Sequence, residues 1–143
     1  MTVPTSDSVD TWILVQVRTG QLERARKELA NQGFELFCPM LRKGGGKGPL
    51  APLLKSYVFV QAGAASAPLR QVASTFGIQS VVGPAPTRPS KVPASLVEAL
   101  RSRCDGDGVF RFGNASTDDP AALLTDTESL SSEERAFLLI RSL

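Results

Sequence analysis

The run Trp12-Ile13-Leu14-Val15-Gln16-Val17 contains one polar residue in six and stops abruptly at Arg18-Thr19-Gly20. It is too short for a stable helix and rich in β-branched and aromatic side chains, so it reads as a buried strand. Tyr57-Val58-Phe59-Val60 has the same character. Buried strands need a covering layer, which restricts the chain to a sheet packed against other elements. The segment between these two strands supplies part of that layer. From Gln21 onward Leu22, Ala25, Leu29 and Ala30 recur at helical spacing, while Glu23, Arg24, Arg26, Lys27 and Glu28 fill the other face. Asn31-Gln32-Gly33 ends this helix, glycine being free to take a left-handed conformation.

Further elements follow from local pattern. Phe34 to Pro39 alternates around Phe34, Leu36 and Cys38 as a strand does. The interval Arg42 to Pro52 holds four glycines, two lysines, an arginine and two prolines, which predicts a mobile basic loop with no packed element. After the small-residue spacer Ala62 to Ala67, Pro68 suits the first turn of a helix with Leu69, Val72 and Ala73 on its apolar side, up to a stop at Gly77. Ile78 to Val82 reads as a strand broken by Gly83-Pro84, and Pro93 opens a helix with Leu96, Val97 and Leu100 facing inward. The order strand, helix, strand, strand, helix, strand, helix predicts an α+β fold. An antiparallel sheet with helices on one side, the ferredoxin-like or split βαβ arrangement, fits it best.

Composition changes after Arg103, and Asp105-Gly106-Asp107-Gly108 reads as a turn or linker, so a boundary is placed near Cys104. Val109-Phe110-Arg111-Phe112 reads as a strand and Asn114 to Pro120 as a loop. The end of the chain admits two readings. Phe137-Leu138-Leu139-Ile140 would serve as a buried strand, whereas Ser131-Ser132-Glu133-Glu134 has the spacing of a capping box that starts a helix.

At 143 residues the chain can hold one ordinary domain plus a minor appendage. With 42% hydrophobic and 21% charged residues it has a globular composition, and no apolar run approaches the roughly 20 residues that span a bilayer. Residues 1–10 lack the basic start and apolar stretch of a secretory signal and are expected to be a disordered tail, with the protein in the cytoplasm. There is no histidine, which removes the usual serine-hydrolase and zinc-hydrolase chemistries. Asp105, Asp107, Asp118 and Asp119 are scattered in flexible sequence and suit solvation better than paired acid and base work. Cys38 and Cys104 lie far apart without metal-ligand spacing and read as reduced structural thiols. No enzyme activity, metal or cofactor is therefore expected. Lys47 is followed by Gly48 and then by a strand, so the loop Arg42 to Lys47 is not a phosphate loop, although a basic flexible tip can track DNA. Residues 1–103 carry 13 Lys and Arg against 6 acids, a net +7, and residues 104–143 carry 3 against 8, a net −5. That asymmetry points the first part toward something anionic.

Taken together, Trp12-Ile13-Leu14-Val15, Gly20-Gln21 with its Arg-rich helix, Cys38-Pro39-Met40, Tyr57-Val58-Phe59-Val60 and Thr75-Phe76-Gly77-Ile78 resemble the N-terminal (NGN) domain of the NusG family of transcription elongation factors. The resemblance is closest to the specialised RfaH-like branch. It implies an NGN domain over residues 11–103. Residues 104–143 resemble a shortened form of the family's KOW domain, with Gly106-Asp107-Gly108-Val109 like its first strand and Arg135-Ala136-Phe137-Leu138-Leu139 like a later one. In the RfaH branch the equivalent segment can instead form a helical hairpin covering the polymerase-binding face, and the capping box permits that arrangement here.

The resemblance implies an operon-specific elongation and antitermination factor that grips the clamp helices of the largest RNA polymerase subunit and raises processivity. Tyr57 and Phe59 match the family's apolar cavity, with Trp12 and Leu14 beneath them, while Gln16 stands where a tyrosine is frequent. Phe59 equally suits plain core packing. The second polymerase contact, made in the family by a His-Thr-Thr-type motif, falls near Pro68-Leu69-Arg70, where Arg70 remains without the motif. Contacts to non-template DNA map onto Arg18, Gln21, Arg24, Arg26, Thr75 and Phe76, with Phe76 able to stack on a flipped base. A ribosomal protein is a further implied partner of the C-terminal segment, and the chain is expected to act as a monomer. The competing reading is a ferredoxin-like RNA-binding or regulatory module that does not act on polymerase. Its diagnostic Lys/Arg-Gly-Phe/Tyr-x-Phe motif has only a partial imitation in Lys55-Ser56-Tyr57-Val58-Phe59.

Overall fold

The computed structural model describes residues 12–42, 48–61, 69–84, 89–106, 108–112, 122–125 and 129–143. The tail 1–10, the spacer 62–67, the basic tip 43–47 and the loop 114–120 lie outside the described residues. By compactness the chain divides into two interleaved units: residues up to Phe37 together with Ser56–Ala94, and Cys38–Lys55 together with Ser95–Leu143. The breaks fall after Phe37, Lys55 and Ala94, whereas the change in composition lies near Cys104.

The first unit is built on one antiparallel sheet. Strand β1 (Trp12–Val17) is its centre, and β2 (Glu35–Phe37), β5 (Tyr57–Gln61), β6 (Ile78–Val81) and β7 (Lys91–Val92) complete it. The main order is β2-β5-β1-β6, with β7 pairing the start of β1. Every pairing is antiparallel. A strand inserted between two that follow it in sequence is the signature of the split βαβ arrangement expected from the pattern. Ile13, Leu14 and Val15 are completely buried, so β1 is covered on both faces, as its near-continuous apolar run requires. Helix α1 (Leu22–Asn31) buries Ala25 and Leu29 and leaves its charges outside. It stops where Gly33 takes φ +87°, with the Gln32 and Gly33 amides donating back to Leu29 and Ala30 carbonyls at 3.0 Å each.

Between β5 and β6 the sequence predicts an α-helix, but residues Leu69–Ser74 form a 3₁₀ turn. The segment between Pro68 and the Gly77 stop is too short to repay nucleation of an α-helix, and 3₁₀ geometry suits pieces of this length.

In the second unit, β3 (Met40–Arg42) pairs antiparallel with β4 (Leu50–Pro52), Met40 opposite Pro52 and Arg42 opposite Leu50. The glycine-rich interval was expected to hold no packed element, and this pairing corrects that. Its four glycines and Pro49 fall between the two strands in sequence, while Leu50-Ala51-Pro52 is free to extend. Pro52 is tolerated because a two-stranded sheet has unpaired outer edges. The expected strand Val109–Phe112 reduces to two isolated bridges, Met40 with Val109 and Cys104 with Phe110. A turn precedes it, in which the Asp105 carboxylate accepts from the Val109 amide at 3.1 Å and Gly108 takes φ +79°. Helix α2 (Ala94–Ser102) follows Pro93 and buries Leu96, Val97 and Leu100.

The ambiguous end of the chain is helical. A short helix α3 (Ala122–Thr125) contacts α4 (Ser132–Ser142). The Ser131 hydroxyl accepts from the Glu134 amide at 3.1 Å, and the Glu134 carboxylate accepts from the Ser131 amide at 3.0 Å, closing the capping box. Arg135–Leu139, one of the segments that admitted a strand reading, thus lies inside a helix. Arg135, Ala136 and Leu139 form its buried side. The Arg135 guanidinium, 5% exposed, donates to the Leu53 carbonyl at 3.4 Å and stands over the Phe112 ring at 5.1 Å. An exposed pair, Lys55 with Glu133 at 3.5 Å, adds little beside it.

The hydrogen bonds from the Ser131 backbone and then its side chain hold the Glu134 carboxyl below its ordinary value of 4.5. A depressed carboxyl stabilises the folded helix above its unfolded pKa. That contribution fades as pH falls from about 4.5 through the lower folded value. Ser131→Ala should cost about 1 kcal/mol in urea denaturation. Glu134→Gln should keep the reciprocal bond yet flatten the acid-side loss of helical circular dichroism. An unchanged acid limb would disprove the assignment.

Candidate functional site

Residues opposite one another in an antiparallel ladder project to the same face. Leu14 lies opposite Phe59, Gln16 opposite Tyr57 and Trp12 opposite Gln61. On the far side of β5, Phe37 lies opposite Phe59, and their rings stack at 5.8 Å between centroids. Trp12, Leu14, Tyr57 and Phe59, four candidate polymerase-contact residues, therefore share one face of the sheet. Trp12 is 2% exposed and Leu14 and Phe59 are 0% exposed, whereas Tyr57 is half-buried. Of the four, Tyr57 is the one that reaches the surface in this conformation. Phe59 thus lies within the packed layer, and Tyr57 stands at its rim.

The same face changes chemistry along β1. Gln16 donates from Nε2 to the Ser56 hydroxyl at 3.2 Å and accepts from the Ser80 hydroxyl at 3.3 Å. It also faces Tyr57 across the ladder, so the apolar layer ends in a polar rung of Ser80, Gln16 and Ser56 beside the phenol. Sequence reasoning had no place for Ser56 and Ser80. The available signal was Gln16 itself, the polar member of an otherwise apolar strand. The Arg70 side chain lies outside the described residues.

A second cluster forms where the β1–α1 turn meets the turn before β6. The Arg18 amide donates to the Gly77 carbonyl at 2.8 Å. Gly77 has φ +90°, and a Cβ there would lie 2.9 Å from the Ala25 Cβ. That close approach brings Phe76 to the rim of α1. Phe76 is 55% exposed, and the Arg24 guanidinium sits 4.5 Å from its ring centroid. Arg24 also pairs with Glu28 at 3.2 Å, and Arg26 pairs with Glu23 at 3.9 Å. Both pairs are exposed and weak, so an anion can replace the carboxylates. Arg18 is exposed and Gln21 half-buried. Thr75 differs from the other five: it is buried, its hydroxyl accepts from Gln32 Nε2 at 2.9 Å and donates to the Gln71 carbonyl at 3.0 Å. Both bonding directions of that hydroxyl are occupied. The structure therefore brings Arg18, Gln21, Arg24 and Phe76 to one corner with Thr75 as its internal support, whereas Arg26, two positions after Arg24 on α1, projects from the other side of that helix.

Among the described residues no group of three or more His, Cys, Asp or Glu could hold a metal ion. Cys38 and Cys104 are not joined in a disulfide. Burial, with a lesser contribution from the Asp105 charge, pushes the Cys104 thiol up to about 11, so little thiolate is present near neutral pH. Among the same residues no helix is long and apolar enough to cross a membrane.

A family model described as transcription termination factor nusG matches residues 10–101. The chain belongs to the NusG family. Membership makes it a transcription-related factor, of a family that generally interacts with RNA polymerase. No curated protein matched the chain as a relative. The NusG match begins just before β1 and ends within α2, so it includes the apolar face and the Arg24–Phe76 corner, while α3 and α4 lie beyond it.

Core and rim roles on the NusG-family face separate by stability. Phe59→Ala should cost about 3–5 kcal/mol, whereas Tyr57→Phe should cost less than about 0.5 kcal/mol, both read from urea unfolding midpoints. Equal losses would show that Tyr57 belongs to the core. The corner has its own test. Gly77→Ala should lose about 1–2 kcal/mol from its left-handed backbone and a further roughly 1–3 kcal/mol from crowding against Ala25. Gly20, at φ +77° with no atom within 4 Å of an added Cβ, should show the backbone loss alone on mutation to Ala.

Proposed function

We propose that this protein is an elongation and antitermination factor of the RfaH-like kind, which binds the clamp helices of the largest RNA polymerase subunit and raises processivity. Residues 11–103 act as the polymerase-binding domain, and 104–143 as a separate C-terminal segment. The observation that carries the reading is the co-facial set Trp12, Leu14, Tyr57 and Phe59 inside the residues matched to the NusG family. Tyr57 provides the anchor, because a rigid aromatic buries a large area at small entropic cost. The buried Trp12, Leu14 and Phe59 form the bed that fixes its position. Beside it Gln16, Ser56 and Ser80 offer hydrogen bonds to a polar residue on the incoming helix. Non-template DNA is the second ligand of this reading. Arg18 and Arg24 meet its phosphates, with Gln21 alongside.

A purified fragment carrying the clamp helices should bind the full chain, and Tyr57→Ala should weaken that binding roughly tenfold or more while leaving the unfolding midpoint near the starting value. The protein should also lengthen transcripts on a long template in a Tyr57-dependent way. Polymerase binding that is indifferent to Tyr57 would remove the face from the mechanism. Capture of free RNA in place of polymerase would favour the RNA-binding alternative.

A further inference from the structure

We infer that the outward stripe of α4, centred on Phe137, is a contact between two copies of this chain, whose C-terminal helices pair antiparallel about a two-fold axis at that ring. The helix lies beyond the residues matched to the NusG family, so the inference stands apart from the polymerase and DNA readings.

A lone apolar side chain in water is ordinary. Phe137 differs in its place on the helix. Arg135, Ala136 and Leu139 form the buried side of α4, and the helical repeat of 3.6 residues projects Phe137 from the opposite side. The ring is 60% exposed, more than any other large hydrophobic residue among those described. Half-buried Ile140, three residues on, extends its apolar surface along one flank.

The charges beside the ring select the occupant. Glu133 and Arg141 stand four residues before and four residues after Phe137, so the three side chains form one stripe. Both charged residues are exposed. The stripe is symmetric in position about its centre and opposite in sign. Two parallel copies would set Glu133 beside Glu133 and Arg141 beside Arg141. Two antiparallel copies set each Glu133 against Arg141 of the other copy, with ring on ring at the axis. A two-fold contact requires a surface complementary to itself, and this stripe has that property. Glu133 and Glu134 on the exposed side disfavour an anionic lipid surface or a nucleic acid.

The present partners of the stripe are exchangeable. The Arg141 guanidinium lies 5.6 Å from the Phe137 ring centroid, and Glu133 pairs with Lys55 at 3.5 Å. Such interactions between exposed groups contribute little. The Glu134 carboxylate, in contrast, is committed to the Ser131 amide and takes no part in the exchange. A contact confined to one helix of 11 residues falls short of the roughly 1,000 Å² expected of a stable interface. The pairing is therefore weak, and the chain is a monomer when dilute.

Sedimentation equilibrium of the full chain, from about 10 µM to about 1 mM, should show a monomer–dimer equilibrium with Kd on the order of 0.1 mM. Phe137→Ala should weaken association about tenfold or more, and because the ring is exposed the unfolding midpoint should not move. Glu133→Arg and Arg141→Glu should each weaken it as well, by setting like charges across the axis. Mixed in equal amounts, these two single variants should pair with each other, since every charge across the axis then meets its opposite. A chain carrying both substitutions should associate as the native one does. Circular dichroism checks that each variant keeps its helices. A native chain that stays monomeric over the whole range would overturn the proposal, as would association indifferent to Phe137→Ala. Folded single variants that fail to pair when mixed would overturn the antiparallel arrangement. Tyr57→Ala should leave self-association unchanged, so failure here is distinguishable from failure of the polymerase reading.

Discussion

The ladder between β1 and β5 fixes which side chains meet, because strand side chains alternate with a period of two and a one-residue slip would send every one of them to the opposite face. In the observed register Leu14 faces Phe59 and Gln16 faces Tyr57. Burial on both faces of β1 makes that register expensive to change, since a slip would exchange packed side chains such as Leu14 and Val15 across the sheet. The apolar layer, the polar rung at Gln16 and the half-buried position of Tyr57 at the rim are all consequences of this one alignment. A register irregularity between Gln16 and Val17 on the β6 side comes at the end of the strand, where β1 gives way to the turn that supports the basic corner.

Two kinds of interaction divide the labour in the first unit. Burial of large apolar groups supplies stability, at roughly 1.5–3 kcal/mol for each fully buried side chain of Leu or Phe size. The surface pairs Arg24–Glu28 and Arg26–Glu23 contribute little to it, and for that reason they are suited to exchange. Between these extremes, the Thr75 hydroxyl and Gln32 hold the Phe76 turn by partly buried hydrogen bonds. On the proposed reading, a rigid turn beside exchangeable helix charges suits a nucleic-acid contact, because the frame stays in place while the counterions are replaced.

In the second unit the balance between strand and helix at the chain end was settled by groups that satisfy one another at the start of α4. Ser131 and Glu134 pair two helix-terminal amides that water would otherwise have to serve. Helical spacing then places Arg135, Ala136 and Leu139 on one side, where the arginine finds the Leu53 carbonyl and the Phe112 ring. A buried guanidinium without such partners would be strongly destabilising.

Local pattern was enough for the elements whose periodicity and stop signals agree. The strands at Trp12–Val17 and Tyr57–Gln61, the helix ended by Gly33 and the helix after Pro93 were all legible, because apolar spacing, glycine and proline act over a few residues. The NusG-family resemblance was legible too, in the order of short segments with no single diagnostic motif. The pairing of Leu50–Pro52 with Met40–Arg42 was hidden by a composition that describes the tip of a hairpin and says nothing of its flanks. Thr75 and Phe76 are neighbours with similar sequence credentials, yet one is buried with its hydroxyl committed and the other stands in solvent beside Arg24. Exposure and partnership of that kind depend on atoms brought together from Arg18, Ala25, Gln32 and Gln71, so the sequence determined the elements and their faces, and only tertiary contact decided which residues remained available to a ligand.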